Sequence, residues 1–81
     1  MHVTVRFFAR LRDIVGAGEL AREIGAGASV GTLWQQLVTD HPALGAYDRA
    51  ISSAVNADYA GRDRVLHDGD EVAFLPPVSG G

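Results

Sequence analysis

Asp68-Gly69-Asp70-Glu71-Val72-Ala73-Phe74-Leu75-Pro76-Pro77-Val78-Ser79-Gly80-Gly81 is the stretch from which the fold is read. Asp-Gly-Asp is turn chemistry, because aspartates bond nearby backbone amides and glycine accepts a positive φ. Glu71 to Leu75 follows as a strand with Val72 and Phe74 on one face. Pro76 and Pro77 have no N–H to give a neighbouring strand, so pairing stops there. Val78 to Gly81 is expected to leave the sheet as an extended tail ending in two residues without side chains.

That strand needs partners, and the chain supplies them upstream. His2 to Phe8 reads as a strand with Val3, Val5 and Phe7 on one face. Phe8 falls on the opposite face, where an amphipathic strand would carry something polar. Leu11, Ile14 and Val15 recur at helical spacing, and Gly16 ends that short helix. Glu19 to Ile24 reads as a second strand despite weak alternation. Ser29 is an N-cap, and Val30, Leu33, Trp34, Leu37 and Val38 form one apolar helical stripe that Pro42 closes. An irregular or helical stretch through Leu44 and Tyr47 then leads to a strand around Ser53 to Ala57. Two strands, a crossing helix and further strands predict an α+β fold of the β-grasp type. A mixed sheet wraps over one main helix, with the first and last strands parallel neighbours and a right-handed crossover.

With 81 residues, 47% hydrophobic and 21% charged, the chain makes one small domain. Residues 1–77 form its body and 78–81 its tail. A net charge of −3 argues against a nucleic-acid surface. No apolar run approaches the ~18 residues of a membrane span. Met1-His2-Val3-Thr4-Val5 lacks the basic start of a leader, so the expected location is cytoplasmic. Cysteine is absent, which removes disulfides, thiolate metal sites and thiol nucleophiles together and also favours the cytosol. All seven cationic side chains are arginines.

Candidate chemistry is sparse. Ser29, Ser52, Ser53 and Ser79 lie outside any G-x-S-x-G elbow. His2, His41 and His67 are scattered without metal-ligand spacing, so no metal is expected. Asp68, Asp70 and Glu71 read as a turn rather than a catalytic pair. Gly25 to Gly31 matches no phosphate loop. Arg6, Arg10 and Arg12 read as a solvated face, and the Trp34 stripe as core. No self-contained active site emerges. The Gly80-Gly81 end differs, because it can thread a channel closed to side chains and then presents only the Gly81 carboxylate. That is the design of a carrier whose C-terminus reacts.

The stretch from Asp68 to Gly81 resembles the C-terminal signature of the MoaD family, the small subunits of molybdopterin synthase. Phe7-Phe8-Ala9-Arg10-Leu11-Arg12-Asp13-Ile14-Val15-Gly16 resembles that family's first strand and helix, and Ala54-Val55-Asn56 its third strand. Chain length agrees as well, so the resemblance spans essentially the whole chain. It implies a ubiquitin-like sulfur carrier without a permanently bound cofactor. An E1-like adenylyltransferase would use ATP to activate the Gly81 carboxylate, and a sulfur donor protein would leave it as a thiocarboxylate. The synthase large subunit, in an expected heterotetramer, would pass that sulfur to cyclic pyranopterin monophosphate in molybdenum cofactor biosynthesis. The carrier would be a co-substrate without catalytic side chains. The resemblance places Phe8, Tyr59 and Leu75 against the large subunit, with Arg12 as a nearby charged contact. Pro76, Pro77, Val78, Ser79, Gly80 and Gly81 would enter it. Tyr59 departs from the family, where a smaller aliphatic residue is familiar. The alternatives are a β-grasp carrier for thiamine, cysteine or tRNA thiolation, and a ubiquitin-like protein modifier.

Overall fold

The computed structural model describes residues 1–77. Val3, Val5 and Phe7 are buried along β1 (His2–Phe7), while Arg6 between them is exposed, as period two requires. Gly16 ends α1 (Ala9–Val15) at φ 84°, its N–H reaching the Arg12 carbonyl at 2.8 Å. β2 (Glu19–Glu23) turns back antiparallel to β1. Ser29 Oγ accepts the Thr32 N–H at 3.2 Å and starts α2 (Val30–Asp40), which buries Val30, Leu33, Trp34 and Leu37. Val38, at the edge of that stripe, is half-buried. A 3₁₀ segment (Pro42–Tyr47) follows, and then β3 (Ser52–Val55), β4 (Asp58–Tyr59) and β5 (Glu71–Leu75) complete a sheet ordered β2-β1-β5-β3-β4.

The central pair is parallel, in register from Thr4 opposite Glu71 to Phe7 opposite Phe74, and β3 lies antiparallel on the other side of β5. The core sits between this sheet and α2. The Trp34 ring lies 5.0 Å from that of Phe74, which stacks on Phe7 at 6.4 Å. This is the expected ubiquitin-like β-grasp.

Three strand ends differ from the sequence reading. β2, expected to reach Ile24, closes at Glu23, with the Ile24 N–H on the Met1 carbonyl at 2.9 Å. The strand expected to run to Ala57 ends at Val55, because Asn56 (φ 50°) and Ala57 (φ 72°) form a two-residue turn into β4. Phe8 closes β1 from outside it, as the extended N-cap of α1. Sequence periodicity also misses a polar clasp over the helix. Trp34 Nε1 donates to Asp48 Oδ1 at 2.8 Å, and Arg62 Nη1 donates to the same oxygen at 3.0 Å. The guanidinium also bonds the Asp48 carbonyl and lies 5.9 Å from the Trp34 ring centroid. Leu66 is thereby carried into the core, its N–H on the Ala28 carbonyl at 2.9 Å. Among the described residues no helix is long and apolar enough to cross a membrane.

Candidate functional site

The outward face of the sheet carries the residues that alternate with the core. Register sets Ala54 of β3 opposite Ala73 of β5, and Tyr59 of β4 opposite Ala54. Two methyl groups side by side make a low floor, and larger neighbours stand around it. Phe8, Tyr59, Leu75 and Ala57 line the resulting hollow of about 260 Å³. Arg6 and Glu71 close one end, paired at 3.8 Å, with the Arg6 guanidinium 5.6 Å from the Phe8 ring centroid. Phe8 and Tyr59 are two of the three large apolar side chains exposed among the described residues, at 39% and 81%. A hydrophobic rim around a shallow apolar floor is the anatomy of a protein-docking surface.

The structure therefore brings Phe8, Tyr59 and Leu75 together. Arg12 lies on the far side of Phe8 from Tyr59 and Leu75. It lines a neighbouring hollow of about 440 Å³ that shares Arg6 and Phe8 with the first and continues to Gly18. Its side chain lies so close over Gly18 that a β-carbon there would sit 3.3 Å from Nε. A further depression behind Tyr59 reaches Arg62, whose guanidinium is already held by Asp48.

Pairing ends at Leu75, so the apolar hollow adjoins the end of the last strand, beyond which Pro76 is half-buried and Pro77 exposed. Val78, Ser79, Gly80 and Gly81 lie outside the described residues. Ala54, Ala57, Ala73, Arg6 and Glu71 also line the hollow, and the sequence reading assigned none of them to a docking face. For Ala73 the signal was there, since period two from Leu75 puts it on the outward face.

The polar groups weighed as catalysts have structural duties. Ser53 Oγ donates to the Ala60 carbonyl at 2.7 Å, and Ser29 caps α2. Asp68 accepts the His2 N–H at 2.7 Å, and Asp70 accepts the His67 N–H at 2.8 Å and Asn56 Nδ2 at 2.9 Å. Those bonds, the His67 amide first and Asn56 next, hold the Asp70 carboxyl below its usual range. Asp48 is lowered in the same way by its hydrogen bonds from Arg62 and then Trp34. No group of three or more metal-ligating side chains is gathered among the described residues.

The profile of the ThiS family matches residues 5–81. The molybdopterin synthase sulfur carrier subunit of Chlamydomonas reinhardtii is 40% identical over 83 residues, covering 100% of both chains. That of Escherichia coli is 42% identical over 82 residues, covering 98% of this chain and 99% of its own. Among solved structures, SAMP1 from Haloferax volcanii superposes with a TM-score of 0.88 at 30% identity, covering 100% of both chains. A chain of the Amycolatopsis orientalis BexX/CysO complex gives 0.72 at 30% identity, over 98% of this chain and 99% of that one.

Proposed function

The chain belongs to the ThiS family, and from that membership we propose that it is the sulfur-carrier subunit of a molybdopterin synthase. The observation that carries the reading is the apolar hollow lined by Phe8, Tyr59 and Leu75, at the end of the last strand. A protein co-substrate needs this pairing: a face for the enzyme to grip and a reactive end beside it. The relatives bearing the sulfur-carrier name support the pathway, and the match extends through residue 81.

In this reading an E1-like adenylyltransferase spends one ATP to join the Gly81 carboxylate to AMP, which turns a poor leaving group into a good one. The outer sulfur of a persulfide on the donor protein displaces AMP to give an acyl disulfide, and a thiol then cleaves its S–S bond, leaving a C-terminal thiocarboxylate and a disulfide. The synthase large subunit grips Phe8, Tyr59 and Leu75 and admits Pro76 to Gly81 into its active site. Sulfur then passes to cyclic pyranopterin monophosphate, and Gly81 returns as a carboxylate. A β-carbon at Gly80 or Gly81 would displace the reacting carbonyl, and about 1 Å of misplacement costs on the order of 10²-fold in rate. The cysteine-free composition fits a cytoplasmic place of work.

Intact mass tests the reading. With activating enzyme, ATP and sulfur donor, the wild type should gain the mass of an oxygen-to-sulfur exchange. It should lose that mass again when large subunit and pterin are added. Deleting Gly81 should abolish the gain and leave the melting transition nearly unchanged, since the core residues lie between Val3 and Phe74. A wild type that charges and never discharges onto the pterin would sink the molybdopterin assignment and leave a carrier for thiamine, cysteine or tRNA thiolation. The likeness to SAMP1 favours a second reading as a protein modifier. Mass-shifted conjugates on lysines of other proteins would identify it.

A further inference from the structure

Six described residues have clearly positive φ, and their chemistry divides by location. Gly16, Gly27 and Gly69 take three of these positions, and none of them lines the hollow beneath Tyr59 or the one beside Arg12. Asn56, at φ 50°, has a local reason to be there. Its Nδ2 donates to Asp70 Oδ1 at 2.9 Å, and its Oδ1 accepts the Glu71 N–H at 3.0 Å, which fixes the start of β5. Asparagine is also the side chain that tolerates this region best after glycine.

The remaining two are alanines. Ala9 sits at φ 52° directly after Phe8, and Ala57 at φ 72° in the turn directly before β4. A methyl group offers no hydrogen bond to offset the crowding of its β-carbon against the backbone. At the second position of a two-residue hairpin turn, glycine is the residue that the backbone prefers. Yet Ala57 lines the first hollow and Ala9 the second, and the two hollows are joined through Arg6 and Phe8. Glycine thus serves the left-handed positions away from this face, and alanine those on it.

We propose that the methyl groups of Ala9 and Ala57 are contact surface for the large subunit, held in an unfavourable backbone conformation because glycine would leave gaps in the docking face. Strained positions that persist at a binding surface commonly serve it. The inference rests on the docking reading above and adds two specificity residues to it. Phe8 and Tyr59 supply area, and the two methyls supply shape between them.

The test pairs thermal melting with calorimetric titration of the cognate large subunit, for Ala57→Gly, Ala9→Gly, Gly27→Ala and Phe8→Ala. Each alanine-to-glycine variant should melt at or above the wild-type temperature, while its Kd rises about fourfold, the worth of one buried methyl. Gly27→Ala should do the reverse, melting lower with Kd unchanged. If both glycine variants bind like wild type while Phe8→Ala binds more weakly, the methyl assignment falls and the docking face stands. If Phe8→Ala also binds like wild type, both fall. Glycine variants that melt well below wild type would show that the methyls serve the fold, which overturns the proposal equally.

Discussion

Tyr59→Ala separates docking from folding more cleanly than any other change on the outward face. The side chain is 81% exposed on a strand of two residues, so little of it supports the core. A tyrosine presents about 200 Å² when fully exposed, which leaves roughly 160 Å² for a partner to cover and about 40 Å² already covered. At ~25 cal/mol per Å² the covered part is worth about 1 kcal/mol to the fold, and complete burial of the rest about 4 kcal/mol to docking. A partner that covers half of the ring, with the hydroxyl at a wet rim, gives about 2 kcal/mol, or roughly a 30-fold rise in Kd. The melting temperature should drop by no more than about 4–8 °C. Titration of the large subunit by calorimetry, alongside a melting curve, measures both. Tyr59→Phe should retain most of the affinity, since the area stays and only the hydroxyl goes. A Kd for Tyr59→Ala within twofold of wild type would refute the docking face, because no other large apolar side chain there is as exposed.

Phe8→Ala should show the opposite balance: at 39% exposure, about 2 kcal/mol falls on docking and up to ~3 kcal/mol on the fold, so both affinity and melting temperature drop. Asp48 and Asp70 both titrate lower in the folded chain than in the unfolded one. Their contribution is therefore present above the ordinary aspartate range and is lost as pH falls through the folded values, which predicts an acid-side loss of stability below about pH 4. Asp70→Asn should flatten that acid limb in melting curves, and Trp34 fluorescence should follow release of Asp48. The chain contains no lysine, so activation should yield no self-conjugate through a side-chain amine; a branched peptide found by mass spectrometry would contradict this.

How legible these features were in the sequence depended on how much burial each element carries. β5 and α2 are read from sequence alone, because Val72 and Phe74, and Val30, Leu33, Trp34 and Leu37, are fully committed to the core. β2 is hard to read because it is an edge strand: Leu20 and Arg22 share its inner face yet are only half-buried, and Arg22 pairs there with Asp40 at the end of α2. β4 is two residues long, too short for any period, and its turn has Asn-Ala where Asn-Gly would have announced a hairpin. Leu66 enters the core from a loop, and the contacts that put it there join residues far apart in sequence. At the site, Phe8 was visible as an apolar residue on the wrong face. Ala9 and Ala57 were not, since a left-handed backbone leaves no mark on an alanine. Arg12 lines a hollow together with Phe8, and its close approach to Gly18 is a tertiary contact that the sequence does not display.

The parallel pairing of β1 with β5 also dictates when this protein can begin to exist. On the ribosome, β1, β2 and α2 emerge first, yet β1 is paired on one side only until Val72 and Phe74 arrive beside Val5 and Phe7. Contacts between the two ends of a chain are slow to form, because the intervening loop must close first. Ala73 and Leu75, on the other face of the same strand, finish the docking hollow at the same moment. A chain broken off before β5 thus lacks both its core and its grip. An incomplete translation product therefore lacks the face by which a carrier with no reactive end could occupy the partner.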